Sequence, residues 1–330
     1  MTSTPDSEPD SSPAAGPDTG PPRDRLHEPV LLDQVLQTLA LGVQPAPRVL
    51  DLTLGCGGHS EAILERFPEA RVVGVDRDPD ALAVAREVLA RFGDRATLRE
   101  HRFDKLDELA GPFDAILADL GCSSLQLDRA ERGFSFQRTG PLDMRMGPDA
   151  RESAAELIAR ADAEELTRIL RDYGEEPAAR RIAEAVVKAR MLGPIETTED
   201  LAAIVRQLAR PPRRGGRGRG KGKRGPTIDA ATRSFQGLRI AVNSELDAIA
   251  AMLPAAAARL AEGGRLAVIS FHSLEDRLVK RFFKDARRSP DGRARLEELK
   301  GSPFQATAEE NQANPRARSA KLRVAVRRPA

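Results

Sequence analysis

Short strand-like runs and helical stripes alternate along the first third of this 330-residue chain. Val49–Leu52, Val72–Val75, Ala96–Glu100 and Ala115–Leu120 have strand length and lie between turn residues. Helical spacing predicts 31–39, with apolar residues at 31, 32, 35, 36 and 39, then 60–67 and 79–92. The last opens with Asp78-Pro79, a capping residue followed by proline at the first helical position. Such alternation predicts a parallel sheet with right-handed crossovers. From 150 to 208 only helical patterns occur, at 154–160, 163–173, 177–191 and 198–208. Strand patterning returns at Gly264–Phe271 and closes the chain at Lys321–Arg327. The economical reading is one doubly wound α/β sheet, residues 25–127 and 231–330, interrupted by an all-helical insert, 128–230.

Composition changes this picture at two places. Residues 1–24 are Pro, Ser, Asp and Gly with almost nothing to bury, and are expected to be a disordered tail. Residues 211–225 combine Arg, Lys and Gly without a hydrophobe. A neutral linker would need no such charge, so this basic loop is expected to contact phosphates. Net charge is only +2, so the basic character is local. Two cysteines argue against a disulfide framework and against structural zinc. No metal site is expected. No run approaches the roughly 20 apolar residues of a membrane span, and the start lacks a signal-peptide pattern. The expected location is cytoplasmic.

The richest local pattern is Asp51-Leu52-Thr53-Leu54-Gly55-Cys56-Gly57-Gly58-His59-Ser60. A buried strand ends in a glycine turn that opens a helix, so a ligand can approach the backbone closely. The second strand ends in Asp76, an acid placed to hold a ribose diol. A dinucleotide fingerprint would need a third glycine where His59 and Ser60 stand. Asp51 would repel a pyrophosphate but suits the ammonium of a methionine group. Together these features favour S-adenosylmethionine over a nicotinamide cofactor.

The fourth strand ends in Asp119-Leu120-Gly121-Cys122-Ser123-Ser124-Leu125-Gln126-Leu127-Asp128. Strands one and four are neighbours in a doubly wound sheet, and their C-terminal loops meet where such folds bind ligands. This segment resembles the D-L-G-V-S-S-x-Q-L-D signature of the bacterial 16S rRNA cytosine-N4 methyltransferase family. His27–Leu32, Gly57–Ser60, Asp76–Asp78, Arg132–Phe136, Gly140–Met146, Tyr173–Glu176, Arg233–Asn243, Ile269–Asp276 and Asn314–Arg323 match the same family in the same order. The resemblance spans about 26–327 and leaves out the tail and the Arg/Gly loop. Cys56 stands where a bulky residue is usual, Cys122 replaces valine, and Leu125 stands where proline is common.

The resemblance implies a class I S-adenosylmethionine-dependent, Rossmann-like methyltransferase fold. It implies cofactor contacts at Gly57, Gly58, His59, Asp76, Phe103, Asp119 and Gln126. The implied substrate is the exocyclic N4 of a cytidine in the decoding region of 16S rRNA, presented by the small ribosomal subunit. Neither DNA nor a membrane is an expected partner. The oligomeric state stays open.

An exocyclic N4 is a weak nucleophile because its lone pair delocalises into the ring. Asp119 or Ser123 is the expected catalytic acceptor for the amino hydrogens. The helical insert and the basic stretches 213–224 and 316–328 are the expected RNA-facing parts. Cys56 and Cys122 lie in adjacent loops, and a reducing compartment favours two free thiols. His272, Ser273 and Asp276 stand too close together for a hydrolase triad, and no nucleophile elbow is present. A non-catalytic RNA-binding factor and a methyltransferase acting on DNA or another RNA position are the remaining alternatives. Intact Asp76 and Asp119 argue against the first, and only the resemblance argues against the second.

Overall fold

The computed structural model describes residues 28–43, 45–208, 229–287 and 295–329. The expected tail, 1–24, and the Arg/Gly loop, 211–225, lie outside the described residues. The first half-sheet is built from α1 (Leu32–Leu39), β1 (Arg48–Asp51), α2 (Gly58–Arg66), β2 (Arg71–Asp76), α3 (Pro79–Leu89), β3 (Ala96–Glu100) and β4 (Phe113–Asp119). Helices α4 (Ser124–Asp128), α5 (Ala154–Arg160), α6 (Ala163–Asp172), α7 (Ala179–Arg190), α8 (Thr198–Leu208) and α9 (Ala231–Asn243) follow. The chain then returns through α10 (Glu245–Arg259), β5 (Leu260–Ser270) and α11 (Ser273–Ala286). It ends with β6 (Arg295–Glu298), β7 (Phe304–Gln305), α12 (Ala308–Ala313) and β8 (Lys321–Arg328).

The sheet runs β3-β2-β1-β4-β5-β8-β6, and β7 pairs with β8 outside that path. The first five strands are mutually parallel, and β8 runs antiparallel between β5 and β6. Strand order reverses between β1 and β4, which opens a crevice above their C-terminal ends. Both faces of the sheet are covered, so its central strands are apolar throughout rather than alternating with polar residues. On β4, Ala115 and Leu117 enter one core while Ile116 and Ala118 enter the other. Val49 and Leu50 of β1 divide the same way.

A third core belongs to the helical insert and draws on Leu157, Leu166, Ile182 and Val205. Phe235 and Leu238 of α9 lie in this cluster too. The expected division at residue 230 leaves α9 with the sheet, whereas its packing joins it to the insert. The next helix, α10, does return to the sheet through Ile249, Met252 and Leu253. Among the described residues, no single helix is long and apolar enough to cross a membrane.

The helix at 79 starts as its residues dictate, with the Asp78 side chain accepting from the Asp80 amide ahead of Pro79. The C-terminal basic stretch differs from expectation. Lys321 and Arg323 pair with Asp276, Arg323 also with Glu298, and Arg328 with Glu297. Arg327 donates to backbone carbonyls of Ala258 and Leu260. These cations lie on β8 within the sheet, and their ion pairs and hydrogen bonds hold that strand in place.

Candidate active site

The crevice over β1 and β4 is a cavity of about 370 Å³. Asp76, Phe103, Asp119, Ser123 and Gln126 line it, together with Thr53, Cys122, Met146, Arg239, Phe271 and Arg316. Sheet tips form one side, and the insert supplies Met146 and Arg239 on the other. Gly57, Gly58 and His59 lie behind the wall rather than among the lining residues.

Each of those three has a local task. Gly57 takes φ +90, a conformation that L side chains rarely adopt. A Cβ on Gly58 would sit 2.7 Å from Pro29 Cγ, so this position allows the 28–31 strap to close over the loop. The buried His59 ring puts Nε2 3.0 Å from the Val30 carbonyl. A carbonyl only accepts, so Nε2 carries the hydrogen and Nδ1 is left with a lone pair. Burial lowers the His59 pKa to about 4, which keeps the ring neutral.

Asp51 also differs from expectation. It is buried below the loop, accepting from Ser60 Oγ at 2.6 Å and from the Thr53 amide at 3.2 Å. Burial raises its pKa to about 6, helped by the nearby Asp76 charge. It braces the glycine loop and does not line the cavity. Asp76 does line it, while accepting from the Gly55 amide at 2.7 Å and the Asp78 amide at 2.9 Å. Its remaining lone pairs are free for ribose hydroxyls.

Gln126 is spent inside the protein. Its Nε2 donates to Asp78 Oδ2 at 2.8 Å and to the Met146 carbonyl, and its Oε1 accepts from the Ser123 amide. Ser123 completes a capping box by accepting from the Gln126 amide. Both residues shape the loop that follows β4. Cys122 Sγ accepts from Arg239, and both cysteines are free thiols.

Asp119 sits at the tip of β4, its amide donating to Thr53 Oγ1 at 2.5 Å. Its Oδ2 lies 3.7 Å from His59 Nδ1, and its buried Oδ1 has no partner. Burial pushes the Asp119 pKa well above the usual carboxylate range, with Asp51 and Glu275 adding to the effect. No cation among the described residues pairs with this carboxylate. The cavity therefore lacks a positive charge against one wall, and a sulfonium fits that need. Sequence reasoning missed Thr53 and Arg239, and it named Arg316 only within the RNA-facing stretch 316–328, whereas Arg316 lines the cavity. Thr53 stands inside the glycine pattern, but nothing in its spacing marks its hydroxyl as the link to β4.

Fold and cavity together define a class I S-adenosylmethionine-dependent methyltransferase, with S-adenosylmethionine as its cofactor. Residues 24–328 match the model of the MraW methylase family, and the chain belongs to that family. It is similar to the ribosomal RNA small subunit methyltransferase H of Heliobacterium modesticaldum, 47% identical, covering 91% of this chain and 97% of the relative. The protein of the same name from Dinoroseobacter shibae is 48% identical over 92% of this chain and 90% of its own length. Among solved structures, an rRNA methylase from Streptococcus thermophilus aligns with a TM-score of 0.40 at 11% identity, covering 90% of this chain and 94% of that one.

Proposed function

We propose that this enzyme methylates small-subunit ribosomal RNA, at the exocyclic N4 of a cytidine in the 16S decoding region. The observation that carries the reading is the Asp119 carboxylate in the cavity wall, with no cationic partner among the described residues. The names of the relatives support the RNA class, and the family resemblance supports the base and its position.

The cofactor supplies an activated methyl group, already bonded to a positively charged sulfur. The protein's work is alignment and charge. Asp76 and Phe103 hold the nucleoside part at the tips of β2 and β3. The Asp119 carboxylate accepts an N4–H of the target base and turns the nitrogen toward the donor. A positive charge brought into the cavity favours the ionised carboxylate, which then takes the proton that N4 sheds. Ser123, already committed as a cap, orients the loop under Asp119. The base leaves its stack to reach this depth. The insert and the Arg/Gly stretch, 211–225, grip the surrounding strand, in the cytoplasm where ribosomes assemble.

The test is mass mapping of methylated cytidines in small-subunit RNA from cells with and without the protein. Loss of a single N4-methylcytidine in the decoding region, restored by the purified enzyme, is the expected result. An unchanged map would overturn the reading.

A further inference from the structure

Arg239 stands where the helical insert meets the sheet, and methyl transfer as described leaves it without a task. It reaches from α9 into the cavity wall beside Cys122 and Phe271. Two acids fix the plane of its guanidinium. Nε and Nη2 each donate to a different oxygen of Glu245, both at 2.9 Å. This parallel fork gives orientation as well as attraction. Glu275, fully buried, places Oε1 4.0 Å from Nη2. Nη1 donates to Cys122 Sγ at 3.4 Å. A guanidinium carries five N–H donors. One hydrogen on Nη1 therefore has no acceptor among the described residues. Burial opposes the charge, but Glu245, Cys122 and Glu275 keep the group protonated.

A strut between helix and sheet would need only the Glu245 fork. It would not need an unspent donor on a residue that also lines the cavity. Asp119 lines the same cavity with a carboxylate that has no cationic partner among the described residues, and the Glu275 charge acts on both residues. A donor and an acceptor on one cavity wall complement a ligand edge that offers an acceptor and a donor. Cytosine has that edge, with N3 accepting beside the N4 amino group. Uracil offers the reverse at the same two positions.

We propose that Arg239 reads the target base, donating Nη1–H to cytosine N3 while Asp119 accepts from N4. This rests on the cytidine reading above. It makes Arg239 a specificity-determining residue, and Glu245 the residue that positions it.

The test compares small-subunit particles reconstituted with cytidine or 3-deazacytidine at the target. The second base replaces N3 by C–H and keeps the amino group. Affinity for enzyme saturated with S-adenosylhomocysteine is read alongside kcat/KM. The wild type is expected to prefer cytidine by about tenfold or more, the scale of one hydrogen bond from a charged donor. In Arg239→Lys the preference should fall to within about twofold, with S-adenosylhomocysteine affinity retained, because the planar donor is gone. Glu245→Gln keeps the arginine but loosens it, and should show an intermediate preference even if the lysine variant misfolds. A wild type that binds both particles equally, or variants that keep its preference, would overturn the proposal. Methylation mapped to another base removes the cytidine reading itself, whereas equal binding at a correctly mapped cytidine removes only the role of Arg239.

Discussion

The two walls of the cavity handle charge in opposite ways. On the sheet side, Asp51, Asp76 and Asp119 are drawn together, and burial raises the pKa of all three. Among the described residues, none has a basic partner with a positive charge. On the insert side, Arg239 is matched by Glu245 and Glu275 before any ligand arrives. Farther out on the insert, Arg160 pairs with Glu152 and Glu165 in solvent. The contrast separates two kinds of work. A wall left short of positive charge suits a cationic cofactor, and a wall already balanced suits a neutral base that must be recognised by direction.

The comparison breaks first at Asp119. Asp119→Asn keeps the shape and removes the charge. Methyl transfer should fall about a hundred- to a thousandfold, with circular dichroism and melting behaviour close to wild type. Wild-type turnover would remove Asp119 from the chemistry. Asp76→Asn should weaken S-adenosylmethionine binding about thirtyfold by calorimetry while leaving RNA affinity alone, since it loses only charge-assisted hydrogen bonds on the sheet side. An equal loss of RNA affinity would mean that the walls do not divide the work.

Asp51 sharpens the same point through stability. It holds its proton to about pH 6 in the fold and to about pH 4 in an unfolded chain. The folded state binds that proton more tightly, so this contribution is full below about pH 4 and is lost as pH rises through about 6. Asp51→Asn should therefore gain on the wild type between about pH 4.5 and 7.5, by up to roughly 2 kcal/mol in urea unfolding. A pH-independent difference would contradict the buried, unpaired state of Asp51. The smallest effect belongs to the solvent side of the insert. Arg160→Ala should cost at most about 1 kcal/mol in the same assay, because exposed ion pairs contribute little.

Much of the architecture was legible because the central strands and amphipathic helices follow period and cap rules. Ala96–Glu100, Ala154–Arg160 and Thr198–Leu208 fall where their patterns place them. The pair α9 and α10 did not announce itself. Buried Ser234, Gly237 and buried Asn243 break the apolar stripe of α9, and Pro254 interrupts the pattern of α10. The site was readable as strand tips and less so as contacts. Asp76, Phe103 and Asp119 line the cavity as their positions imply. The depth of Asp51 and the turned ring of His59 depend on partners at Ser60 and Val30, and spacing alone does not show which way a side chain points.

The last strand carries a consequence for how each copy is made. β8, Lys321–Arg328, lies between β5 and β6. Until those residues emerge, β5 presents a bare edge able to pair with another chain. A newborn copy thus cannot finish its own sheet until β8 has been made and released to fold. A product truncated before β8 should aggregate rather than linger as a half-active enzyme.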